Sequence, residues 1–147
     1  MAKGRISERI RSVLFLLPAW FSPHKSLRAF FHRLRGVKVG KNVEIGYFCI
    51  IGHVHPSWIE LKDNATITAM SVILDHDNSR YFTGRGGVKY GKVVVEKGAF
   101  IGVHSTIMPG LTIGERAIVG ANSLVVSDVE AGTTVVGVPA KVLKKRK

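Results

Sequence analysis

The chain is poor in cysteine, in acidic residues and in long apolar runs. Its single cysteine, Cys49, rules out an internal disulfide framework and a thiolate zinc cluster, and reads as a structural thiol. Asp and Glu number 10 against 22 Lys and Arg, giving a formal net charge of +12 that points towards an anionic partner. No apolar run approaches the roughly 20 residues that a membrane-spanning helix needs. The run from Val13 to Leu17 ends at Pro18, and no small-residue cleavage site clearly follows it. A cytoplasmic protein is expected. At 147 residues and 46% hydrophobic content, one domain with its own core is expected.

The charge is not spread evenly. Residues 1–36 hold eight Lys or Arg against Glu8 alone, a net +7. Residues 141–147 hold Lys141, Lys144, Lys145, Arg146 and Lys147, a net +5. Residues 37–140 hold nine basic and nine acidic residues and balance to zero. A neutral body without a basic groove and interleaved aromatics argues against nucleic acid as a partner. The division read from these boundaries is a basic helical segment (1–36), a repeat body (37–140) and a basic tail (141–147).

What the body does have is a six-residue period. An aliphatic returns at Val39, Ile45 and Ile51, then at Leu61, Ile67 and Ile73. It returns again at Val95, Ile101, Ile107, Ile113, Val119 and Val125. A small or compact residue stands four places on: Val43, Cys49, Ala65, Ser71, Ala99, Ser105, Ala117, Ser123 and Val129. A helix repeats every 3.6 residues and a strand every 2, so neither alone explains six. Six residues do make one short strand and one turn. If each turn redirects the chain by about a third of a circle, three hexads of roughly 18 residues close one coil of a parallel β-helix. The aliphatic then points inward, and the residue four later must be small because the walls converge there. Glycine directly after the aliphatic (Gly40, Gly46, Gly52, Gly102, Gly114, Gly120) suits a corner that needs positive φ or close backbone approach. A β-sandwich would not hold one phase from Val95 to Val125.

Ahead of the repeats, Ile6, Ile10, Val13, Leu14 and Leu17 recur at helical spacing, and Pro18 is expected to stop that helix. Ser22 before Pro23 reads as an N-cap, Leu27, Phe30, Phe31 and Leu34 as an apolar stripe, and Gly36 as a stop. These two short basic helices either cap the open end of the coil or meet an oligomer partner. Alternatively, Trp20, Phe21, Phe30 and Phe31 with nearby arginines lie in a membrane interface.

The period breaks twice. Ile51 to Leu61 is a step of ten, so about four extra residues bulge around His55 to Trp58. Between Ile73 and Val95 the rhythm is lost in a polar, glycine-rich, cationic stretch from Leu74 to Lys92. A regular scaffold does not need such an excursion, which marks it as functional. Taken alone, His76 between Asp75 and Asp77 reads as a solvated loop histidine.

Three features together resemble a known family: the hexads, the loop entered through Asp75-His76-Asp77, and the closing Gly137-Val-Pro-Ala-Lys141. Over about residues 37–144 the chain is similar to the hexapeptide-repeat acyltransferases. It is most similar to sugar O-acetyltransferases of the maltose and galactoside type. The resemblance implies an all-β fold: a left-handed parallel β-helix with short N-terminal amphipathic helices and one long loop excursion. It implies a homotrimer with active sites between subunits, acetyl-CoA as co-substrate, no required metal, and a sugar or glycan acceptor.

It also implies roles. His76 matches the general base, which takes the proton of the attacking hydroxyl; imidazole suits this with an unperturbed pKa near ~6.5. Asp75 and Asp77 adjoin it, but neighbouring strand residues point oppositely, so the group orienting the ring could equally be a backbone carbonyl. Phe100, Gly120, Ala121, Pro139, Lys141 and Lys144 match coenzyme-contacting positions. Relatives often carry Trp where Phe100 stands, and some carry Thr-Lys where this chain has Val126 and Ser127. Candidates for the acceptor are Tyr47, Trp58, Arg80, Tyr81 and Arg85, with His53 beside them. The basic, aromatic N-terminus points to a glycan built at the inner membrane face. Competing readings are a small non-glycan acceptor of the serine or antibiotic type, a γ-type carbonic anhydrase using histidines among His53, His55, His76 and His104, and a non-catalytic scaffold.

Overall fold

The computed structural model describes residues 10–145, without the side chains of residues 144 and 145. Ile6, Arg146, Lys147 and the Lys144 side chain therefore lie outside the described residues. The chain is helical at 10–14 and again in α1 (Leu16–Phe21) and α2 (Lys25–Arg35). Twelve short strands follow in four coils: β1 (Lys38–Val39), β2 (Glu44–Ile45) and β3 (Ile50–Ile51), then β4 (Ile59–Leu61), β5 (Thr66–Ile67) and β6 (Val72–Ile73). After the excursion come β9 (Val93–Val95), β10 (Phe100–Ile101) and β11 (Thr106–Ile107), then β12 (Thr112–Ile113), β13 (Ile118–Val119) and β14 (Leu124–Val125). The excursion itself carries β7 (His76–Asp77), a helical turn α3 (Ser79–Phe82) and β8 (Lys89–Tyr90). The chain ends in β15 (Thr133–Val136) and β16 (Lys141–Lys145).

Successive strands pass to three parallel sheets in rotation. Wall A is β1-β4-β9-β12, wall C is β3-β6-β11-β14, and wall B runs β2-β5-β10-β13-β15 with β16 antiparallel at its edge. In the regular coils the register is 18 residues, as in Phe100↔Ile118 and Thr106↔Leu124. Every inward aliphatic named above is buried except Val39, which is half-buried against the core. All nine compact residues four places on are buried as well.

The structure separates the two roles suggested for the corner glycines. Positive φ falls three residues after the aliphatic, at Asn42, Asn64, Asn122 and others. The glycine directly after the aliphatic is needed for close approach instead, and of the six only Gly52 adds a positive φ. A Cβ on Gly102 would lie 2.5 Å from the Ala121 amide nitrogen of the next coil, and one on Gly46 would lie 2.4 Å from that of Ala69.

The coil has a polarity. Amides of each coil donate to carbonyls of the next: Gly40 to Leu61 at 2.8 Å, Lys62 to Val95 at 2.8 Å, Glu96 to Ile113 at 2.9 Å and Gly114 to Val129 at 2.8 Å. The first coil is therefore left with carbonyls facing outward, and an end of buried acceptors must be met by donors. Helix α2 crosses that end and supplies one arginine per wall. Arg33 Nε donates to the Val39 carbonyl (3.0 Å) and Nη2 to that of Gly40 (2.6 Å) on wall A. Arg28 Nε donates to the Ile45 carbonyl on wall B at 2.5 Å. Arg35 donates to the Ile51 and Gly52 carbonyls, each at 3.1 Å, on wall C. Trp20 Nε1 adds a bond to the Cys49 carbonyl at 2.8 Å.

Several helix expectations change accordingly. The helix breaks at Phe15 rather than at Pro18, which sits inside α1; a proline excludes the carbonyl four residues before it, so the interruption lies upstream. Ser22 closes α1, its hydroxyl donating to the Pro18 carbonyl at 2.5 Å, and His24 is the N-cap of α2. The buried face of α2 is Arg28, Ala29, His32 and Arg35, whereas Leu27 and Phe30 are exposed. Polar residues win that face because the surface beneath is a ring of carbonyls. Gly36 does end α2, in the left-handed conformation.

Candidate active site

Both breaks in the period fall at the same corner. The insertion (52–58) and the excursion (74–92) each leave wall C and return to wall A, one coil apart, so they stack. The excursion leaves as a two-stranded antiparallel ladder, with His76 opposite Tyr90 and Asp77 opposite Lys89. Its base is tied by the Gly91 amide to the Asp75 carbonyl at 3.1 Å.

Asp75 is the organising residue. Its side chain is wholly buried and accepts from both sides. On one side the His53 and Val54 amides donate at 3.2 and 3.0 Å, with the His55 amide as a third donor. On the other, Asp75 Oδ1 lies 2.9 Å from His76 Nδ1. Burial pushes the Asp75 carboxyl up, but the bonds from His76 and the His55 amide outweigh it and hold the group below its ordinary value. A carboxylate there accepts a proton-bearing Nδ1, which leaves the lone pair of His76 on Nε2. The strand-alternation argument fails for Asp75 because β7 begins only at His76.

Asp77 does another job. Its Oδ1 accepts from the Ser79 amide at 2.8 Å, a bond that also holds its pKa below the ordinary carboxylate value, and it starts the turn into α3. Around His76 stands an aromatic wall. His55 stacks on Trp58 at 4.5 Å between centroids, and Tyr90 packs edge-on to His55 at 5.3 Å and lies 6.2 Å from the His76 ring. The His55 Nδ1 is buried without a hydrogen bond, 3.6 Å from Asp75 Oδ2. Trp58, an acceptor candidate, thus stands beside His55 and Tyr90; on the sequence alone His55 is weighed only as a zinc ligand and Tyr90 is not named. The available signal was the coil arithmetic: three hexads per turn place residues after Ile51 beneath residues after Ile73.

The other candidates are elsewhere. Tyr47 is on the corner between walls B and C, with its hydroxyl donating to the Pro23 carbonyl at 3.0 Å and Arg28 4.1 Å from its ring centre; it serves the end cap. Arg80, Tyr81 and Arg85 lie in the outer, exposed part of the excursion, where Arg80 Nη2 donates to the Arg85 carbonyl at 3.3 Å. His53 is exposed, and His104 stands on the corner between walls B and C, away from His76. Phe100 is exposed on the outer face of wall B beside the exposed Ile118. Gly120 and Ala121 follow on the next corner, the cis Val138–Pro139 bond is close behind, and Lys141 is exposed on β16. A cavity of about 300 Å³ lies at this far end, lined by residues that include Asp128, Glu130 and Lys141. One chain therefore keeps the coenzyme-matched residues and His76 on different corners, with wall C between.

Residues 92–127 match the family model described as bacterial transferase hexapeptide (six repeats). The chain is 30% identical to AntD, an N-acyltransferase from Bacillus cereus solved with dTDP-4-amino-4,6-dideoxyglucose and coenzyme A. That match covers 76% of this chain and 74% of AntD, with a TM-score of 0.62. It is 29% identical over 136 residues to the putative acetyltransferase YvoF of Bacillus subtilis, covering 91% of this chain and 76% of YvoF. A galactoside acetyltransferase solved with coenzyme A shares the fold, with a TM-score of 0.75 at 21% identity over 99% of this chain and 84% of that one. The chain spans about a fifth of the length of the first curated relatives it matches.

Proposed function

The chain belongs to the bacterial hexapeptide-repeat transferase family, and from that membership we propose an acetyl-CoA-dependent O-acetyltransferase acting on a hydroxyl of a sugar or surface-polysaccharide precursor. The Asp75–His76 pair at the base of the excursion carries this reading. Asp75 holds the proton on His76 Nδ1, and Nε2 takes the acceptor's proton as its oxygen bonds to the thioester carbonyl carbon. The C–S bond breaks, and the same proton passes from Nε2 to the departing sulfur. Acetyl-CoA supplies the activated acyl group. The exposed Phe100–Ile118 strip suits its pantetheine arm, and Lys141 is a point charge for its phosphates. Trp58, stacked on His55, offers a sugar a flat apolar face.

The separation of His76 from the coenzyme-matched residues supports a homotrimer in which a neighbouring copy brings the two together. The fold likeness to the galactoside enzyme supports a left-handed coil. A stripe of Ile10, Val13, Leu14, Leu17 and Phe21 is exposed beside Arg11, and it supports contact with an anionic membrane surface. Binding to phosphatidylglycerol vesicles is expected to vanish in Leu14→Glu/Leu17→Glu; no binding by the intact protein removes that element.

AntD's amino-sugar ligand favours a second reading, N-acylation of an amino sugar. Free-thiol release from acetyl-CoA, screened over sugars, lipid-linked glycans, amino sugars, serine and chloramphenicol, decides between them. Turnover with a sugar hydroxyl is expected. Turnover confined to amines establishes the second reading, and turnover with none of the panel rejects both.

A further inference from the structure

Arg35 and Asp75 grip the same five-residue strap from opposite ends. Arg35 is 1% exposed, and all five of its guanidinium hydrogens are engaged. Nε donates to the Ser12 carbonyl (3.0 Å), Nη1 to the Ile51 carbonyl (3.1 Å) and to His32 Nδ1 (2.9 Å). Nη2 donates to the Ser12 hydroxyl (3.2 Å) and the Gly52 carbonyl (3.1 Å). The next three residues then turn their amides the other way, onto Asp75. The strap thus presents carbonyls at 51 and 52 to a buried cation and amides at 53, 54 and 55 to a buried anion. Its peptide dipoles are aligned between the two charges, so each charge is stabilised by the end it meets. Gly52 permits the reversal. Its φ is +52°, and a Cβ there would lie 2.7 Å from Ile59 Cγ1 and 3.0 Å from Pro56 Cα. Among the described residues Arg35 has no carboxylate within ion-pair distance; burial lowers its pKa to about 10, and the charge of Asp75 beyond the strap works to raise it.

We propose that Arg35, in the end-capping helix, is a positioning residue for the active site: through the 51–55 strap it holds Asp75, and through Asp75 it fixes the His76 ring. The proposal rests on the acetyltransferase reading for its kinetic arm only. A helix that covers the end of the coil thereby also sets the geometry of the base one coil further on.

The charged and titratable groups facing His76 are Asp75 beside it, His55 and Tyr90 across the aromatic wall, and Asp77 with Lys89 on its own ladder. Removing the Arg35 cation relaxes the amide cradle and makes the Asp75–His76 pair easier to protonate. Arg35→Gln is expected to lower kcat about tenfold with KM for acetyl-CoA unchanged, and to move the acidic limb of kcat/KM to higher pH. Arg35→Lys, which keeps the charge, restores the position of the limb. A merely structural role lowers the folded fraction and leaves the limb where it was, and that outcome overturns the proposal.

Asp75→Asn supplies a test that needs neither turnover nor a folded Arg35 variant. Amide hydrogen exchange at 53–55 is expected to quicken at least tenfold relative to wild type, and that of α2 near Arg35 to quicken with it. Unchanged exchange at α2 overturns the coupling even in an active enzyme. Coupled exchange in a protein that transfers no acetyl group keeps the strap and rejects the activity.

Discussion

The two ends of the coil are chemically opposite. The near end presents carbonyls and is closed by a helix that brings Arg28, Arg33 and Arg35, one to each wall. The far end presents amides and is closed by backbone, with β16 antiparallel to β15, and by the acidic side chain of Asp128, whose Oδ1 accepts from the Thr112 amide at 2.8 Å. Positive charge near the first end is therefore a requirement of the fold. At the second, the described cation Lys141 is exposed on β16, and its role towards a ligand is the proposed one. The same sign of charge at two ends has two different causes, and a net charge of +12 conceals that.

The comparison is most easily broken at the near end. Arg28→Met leaves the Ile45, Ser22 and Pro23 carbonyls without their donor. A loss of about 3 kcal/mol in urea unfolding is expected, because buried acceptors are left unmet.

His32 sharpens the point by pH. It is fully buried, accepts from Arg35, and has its pKa lowered to about 3 by burial and by that neighbouring cation. The unfolded chain binds this proton near pH 6.5 and the folded chain does not, so stability falls as the solution is acidified through that window. Relative to His32→Gln, the wild type is expected to lose roughly 2 kcal/mol between pH 7 and pH 5. Parallel stability curves for the two proteins contradict it. Asp75 adds a further loss only at more acid pH, because its folded value is depressed below that of an ordinary carboxyl.

The far end should respond in the other currency of function. Lys141→Ala is expected to raise KM for acetyl-CoA about tenfold while leaving urea stability within ~0.5 kcal/mol. A stability loss equal to that of Arg28→Met erases the distinction between the ends.

The walls were legible in the sequence because a three-sided coil has one inward position per hexad, and Ile or Val there cannot be mistaken. The Asp75-His76-Asp77 entrance was legible through its motif. Capping of the coil was among the readings of the helices, but not its chemistry, because arginine on a helix normally means a solvated face, and only the open carbonyls of Val39, Ile45 and Ile51 reverse that rule. Leu27 and Phe30, read as part of an apolar stripe, are exposed, and the buried face of that helix is the polar one. The contact of His55 with Tyr90 was not legible, because it is made across an insertion and an excursion that the local pattern treats as unrelated loops.

The functional account turns on His76. In His76→Ala the walls, the cap and the Asp75 cradle are untouched, so the melting curve and sedimentation behaviour should match wild type. Free-thiol release from acetyl-CoA in the presence of acceptor should fall by at least ~10²-fold. A folded variant that still turns over near the wild-type rate contradicts the assignment of His76 as the base.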